Sequence, residues 1–321
     1  MKGKPKTAVL YGGDSREREI SRLSGMAVSG ALKGRGFEVT DIDVREDFLT
    51  ILRESAAGVA FLALHGEFGE DGRIQAILED AGIPYTGSGP EASRIGLDKP
   101  ATKRLLVENG VRTPEFHLAG PSTTDDAIGR AAEELGYPLV IKPPADGSSL
   151  GVSIVHNTYE LAAAVAKVRE TDSCVLMEQF IRGRELTVGV FNGRTLPAVE
   201  MICSGFYDFK AKYMTGRTQY VIAPKLPVVV ATALEEAAVR TYTCIGCTGV
   251  ARVDLRLDES GAPYVLEINT IPGLTATSLV PKAARAAGLE FGELCEMMVA
   301  DAVEQHRSRI GETLGEKKAA I

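Results

Sequence analysis

The sequence predicts an α/β protein made of several units, and three observations predict this class. Segments typical of strands and of helices alternate through about the first 90 residues, which favours βαβ units. Hydrophobic residues make up 45% of the chain and charged residues 25%, as in a globular protein. The 321 residues are enough for two or three domains.

The first unit, residues 1–97, has a βαβ rhythm that predicts a Rossmann-like parallel sheet. TAVLYGG is a strand that ends in a glycine turn, and a helix is expected over residues 15–34. FEVTDIDV and VAFLALHG are the next strands, and DGRIQAILEDAG is an amphipathic helix. The turn-rich TGSGPEAS, near residue 90, then interrupts the pattern.

Two further units follow, at residues 98–182 and 183–306. The first begins with DKPATKRLLVENG, a capped helix that tolerates Pro100 in its first turn, and continues with the strands YPLVIKP, VSIVHN and CVLMEQF. The second contains the strands ELTVGVFN and LPAVEMI, a helix over residues 229–246, and a hairpin formed by ARVDLRL and YVLEINT. The polar segment 307–321 is expected to fray.

Composition excludes several classes of protein. The net charge of −7 argues against bulk nucleic-acid binding, so basic residues are expected to act locally on small anions. No apolar run approaches the roughly 20 residues of a membrane span, and the N-terminus lacks signal-peptide features, which together predict a cytoplasmic protein. Five cysteines without a signal argue against a disulfide framework, and the pair Cys244 and Cys247 is interpreted as structural.

The predicted hairpin near the C-terminus carries the most informative constellation. Strand alternation places Arg252 and Asp254 on one face of the first strand, while Glu267 and Asn269 share a face of the second. Two carboxylates and an amide oxygen suit Mg²⁺, and a nearby guanidinium suggests phosphate chemistry. A salt-bridge ladder on a half-exposed sheet is an equally good interpretation from spacing alone.

A second feature is the loop that follows Lys142, with the sequence KPPADGSSLG. A lysine at a strand end, followed by backbone and hydroxyl donors, can enclose a polyphosphate, and Lys99 could supply a second cation. An ordinary hairpin loop is the alternative. GxxxxGK[ST] is absent, so the chain is not a P-loop protein.

Three weaker signals point to small-molecule binding. The strand end at Glu178 and Gln179, with Glu185 beyond it, could receive a purine and a ribose, although such glutamates are usually just solvated. The aromatic and basic stretch around Lys212 and Tyr213 is typical of a lid, with a disordered excursion, which the aromatics disfavour, as the alternative. Glu17, in the turn after the first strand, suggests a cationic ligand group or simply a favourable interaction with the helix dipole.

Taken together, these motifs resemble those of D-alanine–D-alanine ligases of the ATP-grasp superfamily. The resemblance extends over essentially the whole chain through GGxSxEREIS, ALHGxxGEDG, PYTGSG, LDKxxTK, VIKPxxxGSSxGVS, YDFKAKY and RVDxxL…LEINTIPGLTxTSLVP. It implies three α/β domains, in which a Rossmann-like N-terminal domain is followed by two ATP-grasp subdomains that hold ATP between their sheets.

The resemblance also implies roles for individual residues. For ATP, the implied residues are Lys99 and Lys142 at the phosphates, Glu178, Gln179 and Ile181 at the adenine, and Glu185 at the ribose. For two Mg²⁺ ions, which Mn²⁺ could replace, they are Asp254, Asn269 and the bridging Glu267.

The implied substrate residues surround two D-alanines. For the first they are Glu17 at its ammonium, His65 near its carboxylate, and Ser148 and Tyr213, which join Glu17 in fixing the lid. For the second they are Lys212, Ser278 and Leu279, while Arg252 and the Gly273 N–H form the oxyanion site.

The implied reaction is ATP-dependent ligation through a D-alanyl phosphate, which supplies D-alanyl-D-alanine for peptidoglycan. The Lys212–Tyr213 pair favours a dipeptide product over D-alanyl-D-lactate, although D-lactate or D-serine acceptors stay open. A nucleotide-binding protein without catalysis is the alternative from another class, and an intact ligand set argues against it. The resemblance suggests a homodimer.

Overall fold

The computed structural model of the chain describes residues 3–45, 47–145, 151–203 and 218–319, and of residues 310–319 only the backbone. Three β-sheets and the helices packed on them make up the described fold. The strands are β1 (Thr7–Tyr11), β2 (Val39–Asp43), β3 (Val59–Leu62), β4 (Phe116–Ala119), β5 (Leu139–Lys142), β6 (Ser153–Val155), β7 (Val175–Gln179), β8 (Arg184–Phe191), β9 (Arg194–Thr195), β10 (Val199–Cys203), β11 (Thr218–Ile222), β12 (Val250–Leu257) and β13 (Pro263–Asn269). The helices are α1 (Arg18–Gly34), α2 (Phe48–Glu54), α3 (Arg73–Asp80), α4 (Pro90–Leu97), α5 (Lys99–Glu108), α6 (Asp125–Leu135), α7 (Thr158–Arg169), α8 (Val228–Ile245), α9 (Leu279–Ala286) and α10 (Phe291–Ala319).

The first sheet is parallel, as the βαβ rhythm predicts, with the strand order β2-β1-β3. β1 and β3 are almost wholly buried because helices cover both faces of a parallel sheet, and their sequences are correspondingly apolar. Tight glycine turns follow β1, where Gly12 and Gly13 both adopt positive φ.

The second sheet is antiparallel and has the order β4-β7-β5-β6. Its apolar face packs against α6 and α7. α5 precedes this sheet in the chain, and its start follows the predicted signals: Pro100 lies in the first turn and the Asp98 side chain accepts the Ala101 N–H.

The third sheet contains the predicted hairpin. Its order is β11-β10-β8-β12-β13, with β9 paired to β8. β12 and β13 are antiparallel neighbours, with Arg252 opposite Asn269 and Asp254 opposite Glu267. A register irregularity, which the sequence does not predict, follows this pair: Asp254 lies opposite Glu267 but Leu255 lies opposite Val265, so Leu266 of β13 has no opposite residue.

The C-terminal helix links the end of the chain to its beginning. α10 packs on α1 and β3 through a core that includes Val28, Phe61 and Leu294. Its helical backbone continues to Ala319, whereas the sequence predicts a frayed segment from residue 307. The predicted domain boundaries fall between the three sheets and stay a prediction. Within the described part of the chain, no helix combines the length and apolar character needed to cross a membrane.

Candidate active site

A cleft of about 480 Å³ opens between the start of α1, the loop after β3, the β12–β13 hairpin and the start of α9. Nine of the residues that the resemblance implies line it together: Glu17, His65, Arg252, Asp254, Glu267, Asn269, Gly273, Ser278 and Leu279. Three others, Ser148, Lys212 and Tyr213, lie outside the described residues. The fold therefore brings residues from both ends of the chain to one place.

The β12–β13 hairpin presents its polar residues to this cleft. Arg252 Nε and Nη2 each donate to an oxygen of Asp254 at 2.8 Å. The Thr187 hydroxyl, on the neighbouring β8, lies 2.6 Å from Asp254 Oδ1, and Asn269 Nδ2 lies 3.3 Å from Asp254 Oδ2. One ion pair of the kind that spacing alone allowed, between Arg252 and Asp254, is therefore present.

The same hairpin also fits a hard cation. Asp254 and Glu267 are direct cross-strand partners, and two like charges in that position repel unless cations lie close. Lys99 Nζ lies 3.6 Å from Glu267 Oε2. Among the described residues, no group of three or more His, Cys, Asp or Glu side chains could hold a metal. This does not bear on the implied ligands, because they are only two carboxylates and the amide oxygen of Asn269. Oxygen-only ligands of this kind suit Mg²⁺.

A pair of carboxylates, Glu17 and Glu70, flanks Gly66 on the opposite side of the cleft. The Gly66 N–H donates to Glu70 Oε2 at 2.7 Å, and a Cβ on Gly66 would lie 3.0 Å from Glu17 Oε2. Burial and the negative charge of Glu17 raise the pKa of Glu70 to about 8. Such a pair favours a bound ammonium group, because a cation relieves the repulsion.

Glu70 was not predicted from the sequence as a site residue. It stands at a fixed position of the motif ALHGxxGEDG, whereas Glu67 occupies a variable one, so the motif itself carries the signal that favours Glu70. In the structure Glu67 is exposed, whereas Glu70 lines the cleft. The distinction depends on the loop after β3, whose glycines adopt positive φ at Gly66 and Gly72.

His65 is buried in the cleft wall and holds two segments together. Its Nε2 lies 2.9 Å from Ser24 Oγ, which in turn accepts the Leu274 N–H at 3.4 Å, and the ring also hydrogen-bonds the Ile271 backbone. Burial lowers the pKa of His65 to about 4, so the ring is neutral near pH 7. His65 therefore fixes the 271–274 segment against α1.

Several residues between 273 and 279 line another part of the cleft. Ser278 Oγ lies 2.8 Å from Thr275 Oγ1 and accepts the Thr275 N–H at 3.1 Å, which closes a tight turn before α9. A Cβ on Gly273 would lie 3.0 Å from Ser278 Oγ. The Gly273 backbone is therefore held next to the serine, and Leu279 follows as the first residue of α9.

Four of the implied nucleotide residues lie on or just after β5 and β7, whereas Lys99 begins α5 and Glu185 lies on β8. Lys142 Nζ contacts Glu178 Oε2 at 2.9 Å, and both side chains are almost fully buried. Gln179 is exposed at the end of β7, whereas Ile181 is buried. Glu185, implied at the ribose, accepts from Arg256 Nη1 at 2.8 Å.

One buried cation in this region was also missed. Lys103 is 0% exposed, and its ammonium lies 3.1 Å from Glu178 Oε1. Within the part of the chain that the structure describes, Glu178 Oε1 has no hydrogen-bond partner of good geometry despite this short distance, so it can accept one more donor. A purine with an exocyclic amine fits that requirement.

Two protein-family models match this chain. The model described as D-ala D-ala ligase C-terminus matches residues 104–300, and the model described as D-ala D-ala ligase N-terminus matches residues 47–88. A D-alanine–D-alanine ligase of Syntrophotalea carbinolica is 48% identical over 303 residues, which cover 92% of this chain and 96% of that relative. One of Pelotomaculum thermopropionicum is 44% identical over 308 residues, which cover 93% and 97%. The chain belongs to the D-alanine–D-alanine ligase family.

Solved structures of D-alanine–D-alanine ligases confirm the predicted α/β ATP-grasp fold. The crystal structure of the Bacillus anthracis ligase complexed with ATP matches with a TM-score of 0.84 at 32% identity, covering 95% of this chain and 100% of that one. The Coxiella burnetii ligase matches with a TM-score of 0.86 at 24% identity, covering 99% of both chains, a similarity of fold alone.

For a member of the D-alanine–D-alanine ligase family, the described cleft offers three kinds of recognition. The carboxylates of Glu17 and Glu70 suit an ammonium group, and the hairpin oxygens suit a hard cation. The lysines on α5 and β5 suit phosphate groups. These functions lie close enough to share a ligand, since Glu70, Lys99 and Glu267 also line a small cavity that adjoins the hairpin.

Proposed function

We propose that this chain joins two D-alanines to D-alanyl-D-alanine at the expense of ATP, releasing ADP and phosphate, for the synthesis of peptidoglycan precursors. The observation that carries the proposal is the single cleft in which an ammonium site, an arginine–carboxylate hairpin and a glycine–serine turn converge. The identity to the curated ligases over most of the chain supports the same reaction.

The first D-alanine would bind with its ammonium between Glu17 and Glu70. Its carboxylate would then point toward Arg252, whose guanidinium already makes a bidentate ion pair in the cleft. A carboxylate is a poor electrophile, so ATP would first convert it to an acyl phosphate. Lys99 and Lys142 would offset the negative charge that this transfer involves.

Attack by the amine of the second D-alanine on the acyl phosphate would produce a tetrahedral oxyanion, which would expel phosphate and leave the amide bond. Arg252 and the Gly273 N–H would stabilise the oxyanion, a contribution typically worth about 3–4 kcal/mol per donor. Ser278, beside Gly273, and Leu279 would bind the second D-alanine, with Lys212 at its carboxylate. Because an acyl phosphate hydrolyses readily, water must be excluded, and we assign that function to the segment containing Tyr213, with Ser148 as its partner.

The hairpin would hold two Mg²⁺ ions through Asp254, Glu267 and Asn269, and Mn²⁺ would be an acceptable substitute. Bound Mg²⁺ would supply charge neutralisation for phosphoryl transfer. Adenine would bind along the end of β7 at Glu178, Gln179 and Ile181, with the ribose at Glu185. We further propose that the protein acts in the cytoplasm as a homodimer.

Phosphate release tests the proposal. The chain, with ATP and Mg²⁺, should release phosphate with D-alanine and much less with L-alanine, and mass spectrometry should detect the dipeptide. A preference for D-lactate at neutral pH would instead identify a depsipeptide ligase. Absence of release with any acceptor would identify a nucleotide-binding protein without this catalysis.

A further inference from the structure

Lys103 is a buried charge to which the proposed reaction assigns no function. It lies one turn after Lys99 on α5, and its side chain is completely buried. Fully buried lysines are rare unless they are paired, because removing an ammonium from water is costly. The position therefore calls for a specific explanation.

The surroundings of Lys103 fix its ammonium tightly. Nζ donates to Thr113 Oγ1 at 2.7 Å, and Thr113 in turn donates to the Val265 carbonyl on β13 at 2.8 Å. The ammonium also lies 5.6 Å from the centre of the Phe116 ring. Glu178 Oε1, at 3.1 Å, completes the environment.

Glu178 is thus held between two lysines, Lys103 on one oxygen and Lys142 on the other. Burial opposes its ionisation, but the two ammonium groups outweigh burial and lower the pKa of Glu178. Burial lowers the pKa of Lys103 to about 8, against the pull of Glu178. Near pH 7 the carboxylate is consequently ionised and can only accept hydrogen bonds.

An acceptor-only group discriminates between purines. Adenine carries one exocyclic donor, the 6-amino group, whereas hypoxanthine and guanine carry an oxygen there. A buried carboxylate facing that oxygen would repel it, and sites with fixed polar groups reject mismatched ligands strongly. Lys103 would be needed for this effect, because without it the carboxylate would lose one of its two buried counter-charges.

We propose that Lys103 is a positioning residue that holds Glu178 ionised and oriented, and that it thereby makes the nucleotide site select an amino over an oxo group at position 6 of the purine. This inference rests on the proposed function, which places adenine beside Glu178. Lys103 does not touch the nucleotide itself, so it acts through Glu178.

The test compares ADP with IDP, which differ in the group at position 6 and the hydrogen at N1. Dissociation constants for both are measured by calorimetry on the full chain with Mg²⁺ and without D-alanine. We expect the wild type to prefer ADP at least about tenfold, and Lys103→Met to lose most of that preference. Arg104→Met, at the exposed neighbour on the same helix, should keep it.

Further variants separate charge from structure. Lys103→Arg retains the positive charge and should keep the preference for ADP, whereas Lys103→Gln should lose it, and this pair remains informative if Lys103→Met does not fold. In a Glu178→Gln background, removing the Lys103 charge should leave the ADP-to-IDP ratio unchanged. A ratio that stays at the wild-type value in folded Lys103→Gln or Lys103→Met overturns the inference, as does a wild type without preference. Absence of ADP binding to the wild type would instead refute the proposed function.

Discussion

Substitution of Glu70 by Gln should stabilise the protein at alkaline pH. The pKa of Glu70 is raised from 4.5 to about 8 in the folded state. Between these two pH values Glu70 therefore carries a proton in the folded protein but not in the unfolded chain. Folding stability therefore falls as pH rises through this window and stays low above it. A one-proton difference changes the free energy of unfolding by about 1.4 kcal/mol per pH unit, or about 5 kcal/mol over the window as an upper bound.

The expected net effect is smaller because Glu70 and Glu17 titrate as a pair and Glu70 keeps some solvent contact. We expect Glu70→Gln to be about 2 kcal/mol more stable than wild type at pH 8 and about equal at pH 5. Urea unfolding at several pH values measures this, and Glu67→Gln, at the exposed glutamate of the same loop, serves as the control. Equal stability of wild type and Glu70→Gln at both pH values would refute the electrostatic argument.

The same argument predicts a proton release on substrate binding. An ammonium between Glu17 and Glu70 favours the ionised form of Glu70, so D-alanine binding near pH 7 should release up to about one proton. Calorimetry in buffers of different ionisation enthalpy measures that number. Glu70→Gln should bind D-alanine more weakly and release none, whereas an unchanged proton count in this variant would show that another group titrates.

Three other variants test the remaining parts of the cleft. Glu267→Gln should abolish phosphate release with little change in melting temperature. Glu259→Gln, in the exposed hairpin turn, is the control and should be active. Near-normal turnover of Glu267→Gln would refute the metal assignment. Gly273→Ala should lower kcat at least about tenfold, because its Cβ would meet a serine hydroxyl at 3.0 Å. Gly129→Ala, where a Cβ meets nothing within 4 Å, is the matched control, and equal kcat values for the two would contradict this. Because the pKa of His65 is lowered to about 4, the protein should lose folding stability as pH falls from 6.5 toward about 4. Urea unfolding of His65→Gln should show a smaller loss of stability over this range. An unchanged pH profile in this variant would count against a buried neutral ring.

Elements with local signals could be predicted from the sequence, and α5 illustrates why. Its start depends on Asp98 and Pro100, neighbours whose capping chemistry is independent of the rest of the fold. The β12–β13 hairpin likewise follows from alternation and a turn, although the irregularity after Asp254 depends on packing and was not foreseen. Local patterns were thus sufficient for elements and for the positions of motifs.

The pairings within the site could not be predicted, because they join residues that are distant in the chain. Glu178 was expected to contact adenine, but the sequence of its own strand does not show that the Lys103 ammonium contacts its carboxylate. Glu17 suggested a cationic ligand, but only the fold places Glu70 on the other side of Gly66. Such contacts depend on how α5 and the loop after β3 pack, which sequence periodicity does not specify.

If the proposed sites are correct, the position of α5 would make nucleotide selection and phosphoryl chemistry interdependent. Lys99 and Lys103 are one helical turn apart, and they reach Glu267 on the hairpin and Glu178 on β7 respectively. The Lys99 N–H also donates to the carbonyl of Pro144, shortly after β5. A helix is rigid over one turn, about 5.4 Å, so one element contacts the hairpin, the strand and Pro144 together. A displacement of α5 that weakens the hold on Glu178 must therefore also move the cation beside Glu267.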